Sequence, residues 1–262
     1  MQLEFADSHC HLNYEGLSLR TEEVLHSMQE AGVTRALNIC TTLEEAPKVL
    51  EQTLDHPRLW CSVGVHPDYD EVAAEPSVEE LVQRAAHEKV VAIGETGLDY
   101  YRLKGNLDWQ RERFRVHIRA ARAVNKPLII HTREAAEDTL AILREEKAHE
   151  VNGVMHCFTE SIHVARQAID LGFFISLSGI VTFKNAQQVH EVAREVPLEN
   201  LLIETDAPFL APVPFRGKTN EPAYVVHVAE RIAELKGVSL QSVAEATTRN
   251  FCRFIRQPYF CP

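Results

Sequence analysis

The stretch FADSHCHLNY, residues 5–14, places two imidazoles, His9 and His11, on either side of Cys10 and just after an acidic residue. In a β-strand, side chains two apart share a face, so the two histidines point one way and Cys10 the other. Two adjacent imidazoles are awkward polar groups to bury and useful ones over a metal ion. A surface His-x-His pair accounts for these two residues equally well. The rest of the chain has to decide.

Further titratable residues close other short apolar runs: His66 in LWCSVGVHP, Glu95 in VVAIGETGLD, His131 in PLIIHTR, His156 in GVMHCF, and Glu204 with Asp206 in LLIETDAP. Singly, each has a plain explanation, such as a histidine bonded to a neighbouring carbonyl or an Asp-Ala-Pro turn. For His66 alone the plain one leads. Gathered on one ring, they would face large desolvation costs that divalent cations relieve. Imidazoles mixed with carboxylates suit Zn²⁺, Mn²⁺, Fe²⁺ or Ni²⁺, whereas a site for Mg²⁺ alone is mainly oxygen. Six candidate ligands are too many for one tetrahedral ion. They suit two ions ~3.5–4 Å apart that share a carboxylate. Glu95, in the middle of the ring, is the natural bridge.

The elements that must position these residues are legible in the hydrophobic pattern. Apolar runs at 3–11, 35–42, 59–67, 90–99, 127–133, 153–158, 173–179 and 201–208 are short and almost uniformly apolar. They read as strands buried on both faces, as in a parallel sheet. Helical periodicity lies between them. SVEELVQRAAHE opens with Ser77 and Glu80 at capping-box spacing, and TLEEAPKVLEQTL with Thr42 and Glu45, although Pro47 shifts that start later. WQRERFRVHIRAARAV predicts a helix with its arginines outward, and Gly172 and Gly237 suit helix C-termini. Eight such units predict an α/β fold, a (β/α)8 TIM-like barrel with an appended C-terminal helix over 239–255. A doubly wound open sheet is the alternative, but no Gly-rich phosphate loop opens the first helix. In a barrel, all eight strand ends meet at one catalytic face. No linker divides the chain, so residues 1–262 read as one domain, and the tail RQPYFCP reads as loosely held.

Composition narrows the function. A net charge of −11 argues against a broad basic surface that coats nucleic acid, without excluding a local grip on a few phosphates. No apolar run is long enough to span a membrane, and no secretory signal opens the chain. Six scattered cysteines without a C-x-x-C pair read as reduced thiols of a cytoplasmic protein, and no stable protein partner is evident.

Together DSHCHL, GVHP, GETGLDYY, IIHTR, HCFT and LLIETDAP follow the order of the amidohydrolase-like metal barrels. They closely resemble the TatD family of metal-dependent deoxyribonucleases, in particular its YcfH-like bacterial subgroup. The match runs from about residue 4 to residue 255, and ETDAPFLAP…RGKTNEP is its most specific part. The resemblance implies a centre of two divalent ions (Mg²⁺, Mn²⁺ or Zn²⁺), with His9, His11 and Asp206 on one, His131 and His156 on the other, and Glu95 between. It also implies hydrolysis of DNA phosphodiesters, with 3′ exonuclease action on single strands or ends.

On that basis Asp206 is the expected proton acceptor for the attacking water. Glu204 either supports a ligand or contacts substrate. His66 either donates to a phosphate or leaving oxygen or makes a structural hydrogen bond. Arg133, Arg216 and Lys218 are the expected substrate contacts, ahead of Arg102 and Lys104 beside Tyr100 and Tyr101. Two other classes stay open: a dinuclear hydrolase of a small carbonyl or phosphoester substrate, and a non-catalytic metal-binding protein. The complete ligand set speaks against the second.

Overall fold

All eight apolar runs form strands in the computed structural model, which describes residues 3–69 and 75–258. They are β1 (Phe5–Cys10), β2 (Val33–Asn38), β3 (Leu59–Val63), β4 (Val90–Asp99), β5 (Leu128–Arg133), β6 (Gly153–Met155), β7 (Phe173–Leu177) and β8 (Leu201–Ile203). Each pairs in parallel with the next, in chain order. The first and last meet at one seam, where His11 N donates to the Ala207 carbonyl (2.8 Å) and Asp206 N to the His9 carbonyl (2.9 Å). Two expected metal ligands, His9 and Asp206, are thus joined backbone to backbone where the barrel closes.

Among the described residues the helices are α1 (Thr21–Glu30), α2 (Ala46–Glu51), α3 (Val78–Arg84), α4 (Asp108–Val124), α5 (Ala136–Glu145), α6 (Ile162–Asp170), α7 (Gln187–Glu195), α8 (Val225–Lys236) and α9 (Leu240–Phe254). The pattern reading omits α1, whose buried stripe is only Val24 and Met28. Ser77 caps α3 by accepting from Glu80 N, while the Glu80 carboxylate turns outward to Arg84 (2.9 Å). Thr42 and Glu45 exchange both capping-box hydrogen bonds, but in the turn before α2, which starts at Ala46 with Pro47 in its first turn. The expectation of outward arginines on α4 fails at Arg113. It is buried against Glu75 (2.7 Å) and over the Trp109 ring. Among the described residues no helix is long and apolar enough to cross a membrane. Cys10, Cys40, Cys61 and Cys157 are free thiols. Residues 259–262 of the tail, with Cys261, lie outside the described residues.

One residue from each strand forms an apolar floor inside the barrel: Ala6, Leu37, Trp60, Val91, Ile129, Val154, Phe174 and Leu202. Phe251 and Phe254 of α9 belong to the same cluster and seal it from below. Burying a phenylalanine fully contributes about 1.5–3 kcal/mol, which explains why the appended helix stays docked. Above the floor the interior turns polar, because Ile129 and Val154 are followed two positions on by His131 and His156.

β1 obeys this alternation only after a correction. Asp7 pairs with Ala36 but Cys10 with Asn38, so β1 carries one extra residue there. Ala6 lies in the floor and the Ser8 hydroxyl reaches Ser176 inside the barrel (3.0 Å), yet beyond the bulge His9 faces inward too. Cys10 packs into the outer core. Bulges re-aim side chains in this way. A second register shift, between Ile93 and Thr96, flanks Glu95.

Candidate metal centre

Five imidazoles and two carboxylates meet above the floor. His156 Nε2 lies 2.7 Å from Glu95 Oε1, and His66 Nε2 and His131 Nδ1 each lie 3.2 Å from the same oxygen. His9 Nε2 is 3.3 Å from Glu95 Oε2 and 3.6 Å from Asp206 Oδ1. His11 Nε2 is 3.4 Å from Asp206 Oδ1. Three triads could each hold an ion: His9–His11–Asp206, His9–Glu95–His156 and His66–Glu95–His131.

The donor chemistry fits divalent cations. His156 Nε2 faces a carboxylate oxygen at 2.7 Å yet is too poorly aligned to hydrogen-bond with it or with any other described group. A ring nitrogen that faces a carboxylate oxygen without bonding to it suits a cation held by both. Burial opposes charge on Glu95, but the imidazoles of His156, His66 and His9 outweigh it and hold its carboxyl well below the usual range. Burial likewise opposes charge on His156, yet Glu95 and Glu204 raise its pKa well above that of an ordinary histidine. The centre is rich in negative potential that cations would balance.

A second layer of carboxylates orients these imidazoles, as in many metal sites. Asp99 Oδ2 lies 3.1 Å from His131 Nε2, Glu204 Oε1 lies 3.3 Å from His156 Nδ1, and Asp68 Oδ1 bonds His66 Nδ1. Asp7, wholly buried, accepts from Thr205 N (2.9 Å), Thr205 Oγ1 (2.5 Å) and His9 N (3.2 Å), and so ties β1 to the segment that carries Asp206. Burial pushes its pKa up to about 8 in spite of those donors. Asp7, Asp68 and Asp99 had no role in the sequence reading. Their only signal was position, within or next to motifs already singled out.

The structure changes several expected placements. His66 stands inside the cluster, with its Nε2 as close to Glu95 as His131 Nδ1 is. The triads group His131 with His66 and His156 with His9, rather than His131 with His156. Glu204 is fully buried, accepts from Cys157 N (2.7 Å) and does not line the cleft. Its Oε1 faces His156 Nδ1. β8 ends at Ile203, so Glu204 and Asp206 do not share a regular strand face; Asp206 takes φ +56° and turns toward the opening.

Above the cluster lies a cleft of about 530 Å³, lined in part by Arg102, Arg133, Tyr14, Tyr69 and Phe209. Arg133 packs its guanidinium over the Tyr101 ring (3.8 Å). The expected contacts Arg216 and Lys218 are exposed and do not line the cleft: Arg216 lies on the Phe183 ring (3.7 Å) and Lys218 near that of Phe215. Arg102, ranked behind them, reaches the cleft through its pairing with Asp68. Loop direction, which residue type cannot convey, decided this.

An eight-stranded parallel barrel with such a cluster at its catalytic face defines a metal-dependent hydrolase of the (β/α)8 class. The family model for TatD related DNase matches residues 6–256, so the chain belongs to the TatD-related DNase family. It is 49% identical over 255 residues to the Escherichia coli K12 protein named uncharacterized metal-dependent hydrolase YcfH, with 94% of each chain covered. It is 44% identical over 250 residues to Bacillus subtilis YabD, which carries the same description, covering 95% of this chain and 98% of that one. The crystal structure of YJJV, a TatD homologue from Escherichia coli K12, superimposes with a TM-score of 0.91 at 28% identity, covering 98% of this chain and all of that one.

Proposed function

We propose that the chain hydrolyses phosphodiester bonds of DNA and works on single strands or strand ends, as a 3′ exonuclease. The observation that carries this reading is the convergence of His9, His66, His131 and His156 on one buried carboxylate, Glu95, beneath a cleft that holds Arg102 and Arg133. Two divalent ions, Mg²⁺, Mn²⁺ or Zn²⁺, fit this donor set: His9, His11 and Asp206 would hold one, and His66, Glu95 and His131 the other, with His156 beside His9 and Glu95 between the two. Bound there, such ions supply Lewis acidity at phosphoryl oxygens and lower the pKa of water from 15.7 toward ~7.

The remaining work falls to the chain's own groups. Asp206 faces the cleft and accepts the proton of the attacking water. Burial opposes its ionisation, but the hydrogen bond from His11 and the neighbouring His9 and His156 keep its pKa low. Arg133, with no carboxylate partner among the described residues, and Arg102 hold the diester oxygens. His66 is given no proton-donor role, because Asp68 occupies its Nδ1 and its Nε2 is turned to Glu95. Reduced cysteines are consistent with a cytoplasmic setting.

The test is metal-stripped protein reloaded in turn with Mg²⁺, Mn²⁺ and Zn²⁺ and assayed on end-labelled single- and double-stranded DNA, RNA, lactones and amides. The expected result is a ladder of products shortened from the 3′ end of DNA. Turnover of lactones or amides with DNA left intact would assign the site to a small carbonyl substrate instead.

A further inference from the structure

Among the described residues, the exposed aromatic side chains are Tyr69 (38%), Tyr101 (53%) and Phe209 (52%); Tyr69 and Phe209 line the cleft, and Tyr101 packs under Arg133, which lines it too. They occupy opposite ends of the cluster. Phe209 packs edge-on to His11 (6.4 Å) and Tyr14 (6.0 Å), beside the His9–His11–Asp206 triad. Tyr69 stands edge-on to His66 (6.3 Å), and Tyr101 carries Arg133 two residues beyond His131, beside the His66–Glu95–His131 triad.

Charge breaks the symmetry between these two ends. The cations that line the cleft, Arg102 and Arg133, both stand at the Tyr69–Tyr101 end. Beyond Phe209 lies a second cavity of about 780 Å³, walled by Phe209 and Tyr14, with Glu15 and Glu45 facing a single Lys48. Lys48 is engaged with the Asn13 carbonyl (3.0 Å). Glu45 is itself held by Asn13 and by the Thr41 and Thr42 N–H groups, and two carboxylates against one engaged cation make this wall a poorer seat for a continuing phosphate backbone than the arginine end.

Resting on the nuclease reading, we infer that the cleft seats a single strand in one direction only: its terminal base stacks on Phe209, the scissile phosphate lies over the cluster, and the body of the strand runs out across Arg102, Arg133 and Tyr101. The cavity past Phe209 takes the terminal base or sugar and, by its charge and not by its size, disfavours a further nucleotide.

The experiment uses full-length, metal-loaded protein and single-stranded oligonucleotides whose cleaved end carries either a normal base or an abasic sugar. Base-on-ring stacking is worth enough that wild type should favour the normal end in kcat/KM by about tenfold. Phe209→Ala should bring that ratio near one, and Phe209→Trp should restore it. Binding is read independently with a phosphorothioate oligonucleotide carrying 2-aminopurine. The terminal analogue should be quenched by wild type and not by Phe209→Ala, whereas Arg133→Ala should weaken binding of long strands more than that of dinucleotides. A wild-type ratio near one, or a ratio that Phe209→Ala leaves unchanged, would overturn the inference alone. No cleavage of any oligonucleotide would overturn the nuclease reading, and this inference with it.

Discussion

His131 stands between two carboxylates: its Nε2 lies 3.1 Å from Asp99 Oδ2 and its Nδ1 lies 3.2 Å from Glu95 Oε1. Burial opposes charge on Asp99, but the bond from His131 and the backbone N–H groups of Arg102 and Tyr101 hold its pKa at about 2. An ionised Asp99 only accepts, so Nε2 carries the imidazole proton and Nδ1 presents its lone pair to the cluster.

Asp99→Ala frees that tautomer. Affinity for Mn²⁺ or Zn²⁺, measured by competition with a chromogenic chelator, should fall by about 10- to 100-fold. An unchanged affinity would show that His131 needs no such partner.

Asp206→Asn keeps the size of the side chain and removes its basicity. Hydrolysis should drop by about 10²- to 10⁴-fold in kcat under saturating metal, the range for loss of a general base. Full activity with metal bound would assign the proton elsewhere.

His117 supplies a pH dependence away from the centre. Its Nε2 accepts from Val65 N (3.0 Å) and its Nδ1 donates to the Arg113 carbonyl (2.8 Å), so the folded state holds it neutral. Burial depresses its pKa to about 4. Below the ordinary value near 6.5 the unfolded chain takes up the proton and the folded chain does not. Stability is therefore present in full above about pH 6.5 and lost as pH falls toward 4, by about 3 kcal/mol. Urea titrations across that window should show a shallower loss in His117→Gln, which cannot titrate; equal slopes would refute the assignment.

Gly97 adopts φ +139°, and a Cβ there would meet the His131 carbonyl oxygen at 2.0 Å. β4 and β5 approach closely at this point, where Gly97 pairs with His131 itself. Gly97→Ala should cost about 3 kcal/mol or more in urea unfolding, because strain and overlap add. A loss below about 1 kcal/mol would mean that the strands separate freely there.

The barrel itself was legible from the residue pattern, because short runs such as PLIIHTR and FFISLSG are too apolar for a half-exposed strand and too short for a helix. The ring of polar residues was legible for a related reason: His131 and His156 follow inward-facing Ile129 and Val154 by two positions, and alternation is a local property of the chain. The segment α1 escaped notice because two apolar positions four apart make a weak stripe.

By itself, then, the sequence determined which residues face the barrel interior on regular strands and which chemistry that ring favours. Tertiary structure alone decided what depends on loop direction and on register between strands. The β1 bulge turns His9 inward after Ser8, His66 joins the cluster instead of standing beside it, and Glu204 is buried behind His156. Arg216 and Lys218 point away from the cleft that Arg102 enters. The physical reason is range: periodicity acts between neighbours, whereas a bulge or loop trajectory is set by hydrogen bonds and charges contributed from distant segments.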